Sequence, residues 1–317
     1  MGDNIENARR LILHQIEKLF NERFCNNIVL LRNELWRTAE NCCPITLYRY
    51  RPDNLYELDA LDRGEVHLSR ICDFDDPMDT FPLLCPEKID EVIDSQCTES
   101  NIRILIEKQY PLLPEEEKEK YCSLVIDWFS TEKYDDFKYL IKETISERVD
   151  ELRQRLRCAC FTEASESKFM WNEYANSGKG FCLEYQLENG MYECECNRIG
   201  PCDITLVTSF LPVVYDGQAD VYQHSHVLAG YYDNWLIPSG EEHLVKLVMA
   251  LHKRPQYKRE KEWRILAEDC GECEGAVFVK IPPSRIIVGP KCSDEIRACL
   301  KEIANKRGIP TVESRCE

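Results

Sequence analysis

Carboxylates and cations alternate with apolar bulk in YKREKEWRIL, residues 257–266. Read as a strand, this segment puts Lys258, Glu260, Glu262 and Arg264 on one side and Arg259, Lys261, Trp263 and Ile265 on the other, since successive strand side chains alternate. Such a face is either a solvated ion-pair ladder or the wall of an active site. Earlier in the chain, Arg49, Arg51, Arg63 and Arg70 cluster in sequence and could make a local basic pocket for a phosphate-bearing small molecule. In SRICDFDDPMD, Asp73, Asp75, Asp76 and Asp79 surround Pro77. Asp side chains bond nearby backbone amides and Pro fixes φ, so this reads as a rigid turn. As a metal site it would need Asp75, Asp76 and Asp79 to converge on one point. In FMWNEYANSGKG, Phe169, Trp171 and Tyr174 share a helix face ahead of a glycine turn, the pattern of a core-packing helix.

Eighteen cysteines in a chain of 317 residues would suggest disulfides in a small secreted protein. Here the N-terminal MGDNIENARRLILHQ lacks the apolar stretch of a signal peptide, so free thiols and a cytoplasmic location are expected. Cys158, Cys160 and Cys182 fall in apolar segments, where Cys acts as a small hydrophobe. Cys194, Cys196 and Cys202, with Cys270 and Cys273, form the one group with any resemblance to zinc ligands; C-x-C is not a usual knuckle spacing, and no metal is assigned. His224 and His226 are the only histidines at a ligand-like spacing.

The elements that must position these residues follow from pattern. A hydrophobic fraction of 44% is enough for a core, no run of about 18 apolar residues suggests a membrane span, and a net charge of −17 argues against broad nucleic-acid binding. Residues 4–40 read as one long or two consecutive helices, which could cover the sheet or form a dimer seam. Strands are expected at 45–51, 65–69, 157–162, 180–187, 204–215, 257–266, 276–281 and 285–289, with a last one near 309–313. Helices are expected at 55–63, 167–175, 241–253 and 293–306, the second of these strands being followed by a mostly helical stretch. The class is α+β: residues 1–42 a helical segment, and 43–317 one domain with a largely antiparallel sheet and a helical insertion at about 86–156.

In order along the chain, LYRYRPDN, the DFDDPMD turn, CACFTEASESKFMWNEYANSGKGFCLEY, VVYDG, EKEWRIL and IIVGPKCS resemble a bacterial family known only as a domain of unknown function, number 2971. The resemblance runs over about 45–312, with no recognised motif in 86–156. Where that family has Phe-Asn-Asp-Pro-Phe-Asp, this chain has Phe74-Asp75-Asp76-Pro77-Met78-Asp79, and Thr162 replaces Ser in Cys-Phe-Ser. More distantly, the layout is similar to NAD-dependent ADP-ribosyltransferases, some of which act as toxins or in phage defence. That resemblance implies NAD as cofactor, gripped by Arg49 or Arg51. Thr162 would support the nicotinamide ribose and Tyr50, Trp171 or Tyr174 would stack on a ring. Glu262 would be the catalytic carboxylate, with Glu260 positioning the acceptor. Two other classes stay open: a metal-dependent nuclease or phosphohydrolase using the aspartates with Glu260 or Glu262, and a non-catalytic sensor whose acidic helices recruit a partner.

Overall fold

In the computed structural model of the chain, residues 7, 9–12, 14, 15, 18, 28–76, 79, 86–187, 204–206, 210–215, 251, 253–269 and 276–316 are described. The helical described residues before 19 are followed by α1 (Ile28–Cys42) and then by TLYRYR as β1 (Thr46–Arg51). Pro52 stops the strand. Asn54 then accepts the Glu57 amide at 2.9 Å to cap α2 (Leu55–Arg63), and Gly64 closes the helix at φ 70°, a conformation that costs glycine nothing. β2 (Glu65–Arg70) follows.

Among the described residues, four α-helices run between β2 and β3: α3 (Pro86–Gln96), α4 (Glu99–Gln109), α5 (Glu115–Phe129) and α6 (Glu132–Arg155). Three glutamates in the first turn of α5 complement the positive end of its dipole. After β3 (Leu156–Thr162) comes the short α7 (Lys168–Tyr174), capped by Ser167. The chain then turns through Asn176, Ser177 and Gly178, all at positive φ, into β4 (Phe181–Gln186). Gly180 is required in this turn, because a Cβ there would overlap the Arg51 carbonyl oxygen. The rest comprises β5 (Ile204–Leu206), β6 (Leu211–Pro212), β7 (Glu262–Asp269), β8 (Val277–Lys280), β9 (Arg285–Val288), α8 (Asp294–Arg307) and β10 (Thr311–Glu313).

The fold is α+β, with the described strands in one ten-stranded, mostly antiparallel sheet. Its order is β10-β9-β4-β1-β3-β2-β8, with β7 also on β3 and β5 and β6 on β7; only β9 and β10 pair in parallel. One edge of β3 serves two neighbours: Thr162 pairs with Tyr48 of β1, while Cys158 and Arg157 pair with β2. The main core covers one face and includes Leu47, Leu68, Phe161, Tyr185, Trp263, Ile265 and Leu300, bringing α2 and α8 against the sheet. On the other face Tyr50, Met170, Trp171, Ala175, Cys182 and Ile287 form a smaller cluster under α7.

Two expected strands are corrected. Residues 255–260 form a 3-10 turn that ends at Lys261 in the left-handed region (φ 47°), so strand β7 starts only at Glu262. Pro255 at the start of the turn and the reversal at Lys261 override the alternation. The single strand expected over 204–215 is two short pieces, β5 and β6, whose registers on β7 differ by two residues. Most of the helix expected at 241–253 lies outside the described residues, as do Cys194, Cys196, Cys202, Cys270, Cys273, His224 and His226. The described cysteines are free thiols. Among the described residues no helix is long and apolar enough to cross a membrane.

Candidate active site

Glu262 and Arg264 lie at the start of β7, which is antiparallel to β3 from Leu156↔Glu268 to Thr162↔Glu262. Directly opposed residues point the same way. Glu262 and Arg264 therefore share a face with Thr162 and Cys160, while Trp263 and Ile265 enter the main core with Phe161 and Ala159. The alternation within 262–265 is as expected, but this face is dry: Glu262 and Arg264 are 3% and 0% exposed. A solvated ladder is ruled out for this stretch.

Three further segments close on that face. Val214 N donates to Leu251 O and Lys253 N to Val214 O, which fixes Lys253 beside the sheet. The 3-10 turn folds Glu260 back, and Asp79 N donates to Asp76 O at 2.9 Å to close the aspartate turn above. The result is a cluster of five buried ionisable side chains. Lys253 Nζ is 2.5 Å from Glu260 Oε2, 2.9 Å from Glu262 Oε2 and 3.1 Å from Asp79 Oδ2. Arg264 donates from Nε to Glu262 Oε1 at 2.5 Å and from Nη2 to both Asp79 oxygens at 2.8 and 3.0 Å. Tyr174, 39% exposed, carries the cluster toward the surface: its hydroxyl donates to Glu260 Oε1 at 2.5 Å.

Backbone contacts brace the same atoms. Thr162 Oγ1 donates to the Glu260 carbonyl, and the Glu262 amide donates to the Tyr215 hydroxyl at 2.7 Å. Behind them, Glu163 Oε1 accepts from Trp263 Nε1 at 2.7 Å and from Arg9 Nη2 at 2.8 Å, so the N-terminal segment is tied to β7.

The two glutamates are driven apart electrostatically. Burial alone would raise Glu262, but the Arg264 guanidinium and the Lys253 ammonium outweigh it and hold this carboxyl well below the usual range. Glu260 is pushed up to about 7: burial and the neighbouring Glu262 charge prevail over Lys253 and Tyr174. Lys253 stays protonated, because Glu262 and Asp79 overcome the cost of its burial. Burial also raises the Tyr174 phenol well above its ordinary value. Three carboxylates facing two cations leave one formal negative charge, which a proton on Glu260 neutralises.

Of the residues expected to form a site, the structure brings together Glu260, Glu262, Thr162, Tyr174 and Asp79. Tyr50 and Trp171 lie on the same face, with ring centroids 4.9 Å apart, and pack against each other. Arg49 and Arg51 are a correction. Arg49 pairs with Leu183 of the main core, so both arginines leave β1 on the Trp263 side of the sheet. Arg51 is paired with Glu57 and Arg49 donates to the His67 carbonyl at 3.1 Å; neither faces Glu262. A one-residue parity in β1 decides this. Asp76 bonds Arg254 at 2.7 Å and Asp75 is exposed. Among the described residues no three of His, Cys, Asp and Glu are placed to hold a metal ion, since Lys253 and Arg264 stand between the converging carboxylates.

Sequence reasoning gave Lys253 no role, met Tyr215 only inside the VVYDG motif and used Arg264 only as part of a pattern. Nothing in the spacing of Lys253 marks it, because it reaches the cluster through a reversal of the chain.

An α+β sheet thus carries a buried cluster of carboxylates, a lysine and an arginine on one face. Residues 170–265 match the family model described as "Protein of unknown function (DUF2971)", which supports the resemblance seen in the motifs. That span carries Tyr174, Tyr215, Lys253, Glu260, Glu262 and Arg264, and leaves out Asp79 and Thr162. No curated protein and no solved structure matches the chain.

Proposed function

We propose that this chain is an enzyme whose centre is the Glu260–Lys253–Glu262 cluster, and that it breaks the nicotinamide–ribose bond of NAD to transfer ADP-ribose. The observation that carries the enzymatic reading is the pair of glutamates on one ammonium, one held as an anion and the other titrating near 7. Environments that split two carboxyl groups in this way assign a fixed anion and an acid–base. Glu262 supplies negative charge where a cation-like sugar develops, and Glu260 takes the proton of the attacking hydroxyl or water as the C–N bond breaks. Tyr174 links Glu260 to the surface. The choice of NAD, and a place in phage defence or a toxin system, rest on the more distant resemblance; Arg49 and Arg51 have no part in this centre.

The test is incubation of the full chain with NAD labelled separately in nicotinamide and adenylate, with and without cell lysate. Glu262→Gln is expected to lower nicotinamide release at least about 100-fold, the effect of losing one well-placed charge-stabilising group. Equal release by wild type and variant would remove the reading. A metal-dependent phosphohydrolase is disfavoured by this geometry, because Lys253 Nζ already occupies the point on which Asp79, Glu260 and Glu262 converge. Phosphodiester cleavage that requires added Mg2+ or Mn2+, with NAD untouched, would put it first.

A further inference from the structure

On the opposite side of β1, Arg49 is 8% exposed and, among the described residues, makes no ion pair with a carboxylate; the Glu57 charge acts on it only through space. Its Nη2 donates to the His67 carbonyl and its guanidinium lies 5.7 Å from the centre of the Phe161 ring, but its Nε is buried with no acceptor at all. The neighbouring cation, Arg51, is neutralised by Glu57. Two guanidiniums against one carboxylate leave a local charge of about +1 inside a chain of net charge −17. Burying a cation without an ion-pair partner is unfavourable, and a buried N–H without an acceptor adds to that cost. The potential is also felt by a neighbour: burial, then the charges of Arg49 and Arg51, depress His67 to about 4, so its ring stays neutral.

The position is a fork in the sheet. The β3 edge passes from β2 at Cys158 to β1 at Thr162, and Arg49 bridges the two diverging strands through the His67 carbonyl. At the rim, His67 packs against Tyr56 and Phe278 with centroids 5.6 and 5.3 Å away, and Tyr56 is 45% exposed.

We propose that the fork between β1 and β2 binds a small oxyanion, a phosphate or carboxylate group, with Arg49 as its ligand. The Nε and a terminal nitrogen of one guanidinium form the two-pronged edge that a tetrahedral or planar oxyanion accepts from. The aromatic rim would pack against whatever carries the anion. This site is separate from the Glu262 centre and does not depend on it.

The test is a titration of the intact, 15N-arginine-labelled chain with inorganic phosphate at constant ionic strength, following the arginine Nε–H resonances. Arg49→Lys identifies the Arg49 signal by its disappearance. That signal is expected to move saturably at millimolar phosphate or below, while chloride at matched ionic strength leaves it in place. Parallel titrations with sulfate and acetate tell a tetrahedral from a planar preference, and saturation by either supports the site. Glu262→Gln is expected to keep the shift. An Arg49 signal that none of the oxyanions moves, or that chloride moves equally, would overturn the inference. Loss of the shift in Glu262→Gln would overturn the separateness of the site.

Discussion

Two groups of ion pairs in this molecule have the same chemistry and opposite surroundings. On α4 and α5, Arg103 pairs with Glu99 and Glu119, and Lys118 with Glu115, with carboxylates 49–68% exposed. On the β7 face, Lys253 and Arg264 meet Asp79, Glu260 and Glu262 with every side chain below 8% exposure. Exposed pairs gain little, because water already solvates both partners and ordering two long side chains costs entropy. Buried ones lose hydration that their mutual attraction only partly restores, so a hydrophobic replacement is often no less stable. Stability alone therefore gives weak grounds for five ionisable groups under a sheet. A chemical task gives stronger ones, and the comparison can be sharpened by taking the cluster apart.

The largest effect is expected from Arg264→Met, which leaves the buried carboxylates of Asp79, Glu260 and Glu262 sharing one cation, Lys253. Urea unfolding should show a loss of about 3–5 kcal/mol. The double variant Glu262→Met with Arg264→Met removes both charges of the Glu262–Arg264 pair, and should recover at least half of that loss. If the single variant is no less stable than wild type, the cluster is not buried as described. If the double variant is as stable as wild type but releases no nicotinamide from NAD, the pair serves chemistry rather than folding.

The next effect is one of pH. Glu260 is raised in the folded chain from 4.5 to about 7, so between those values the folded state binds more protons than the unfolded state. Its contribution is full below pH 4.5 and is lost as pH rises through 7. From pH 5.5 to 8 the wild type should lose about 2 kcal/mol from this group, taking 1.36 kcal/mol per pH unit. Glu262, depressed by its cations, has the opposite sign: its contribution is present above pH 4.5 and disappears on acidification. Comparing unfolding midpoints at the two pH values isolates Glu260, because Glu260→Gln removes only its titration. Identical slopes for wild type and variant would show that this carboxyl does not titrate near neutrality.

How much of this was legible in the sequence depends on how local the cause is. The Asn54 and Gly64 caps, β1, β2, β3, β4 and α8 follow from alternation and turn residues that act within a few positions. Trp263 pointing away from Glu262 follows from strand parity. Glu260 reaches the site for a reason the alternation did not contain, since a turn rather than a strand delivers it. The parity rule that served β7 also applies to β1, where register with β4 sends Arg49 to the core side; that required the pairing, which no single strand reveals. Lys253 and Asp79 meet across 174 positions of chain, and only the folded sheet brings them to 3.1 Å.

Asp79→Asn should do less than the Arg264 change, about 1–2 kcal/mol in the same urea measurement. Arg264 keeps Glu262, Lys253 keeps both glutamates, and the cluster's surplus negative charge is relieved as a hydrogen-bonding partner is retained. Its diagnostic value lies in the pH response. With one anion fewer beside Lys253, that ammonium is freer to attract Glu260, so the near-neutral titration should move downward in Asp79→Asn. At the far end, Arg103→Ala on the exposed helices should leave the thermal midpoint within replicate scatter, although it breaks two ion pairs at once. A shift there as large as that of Asp79→Asn would erase the distinction between the two groups, because burial would then no longer decide what an ion pair contributes to this chain.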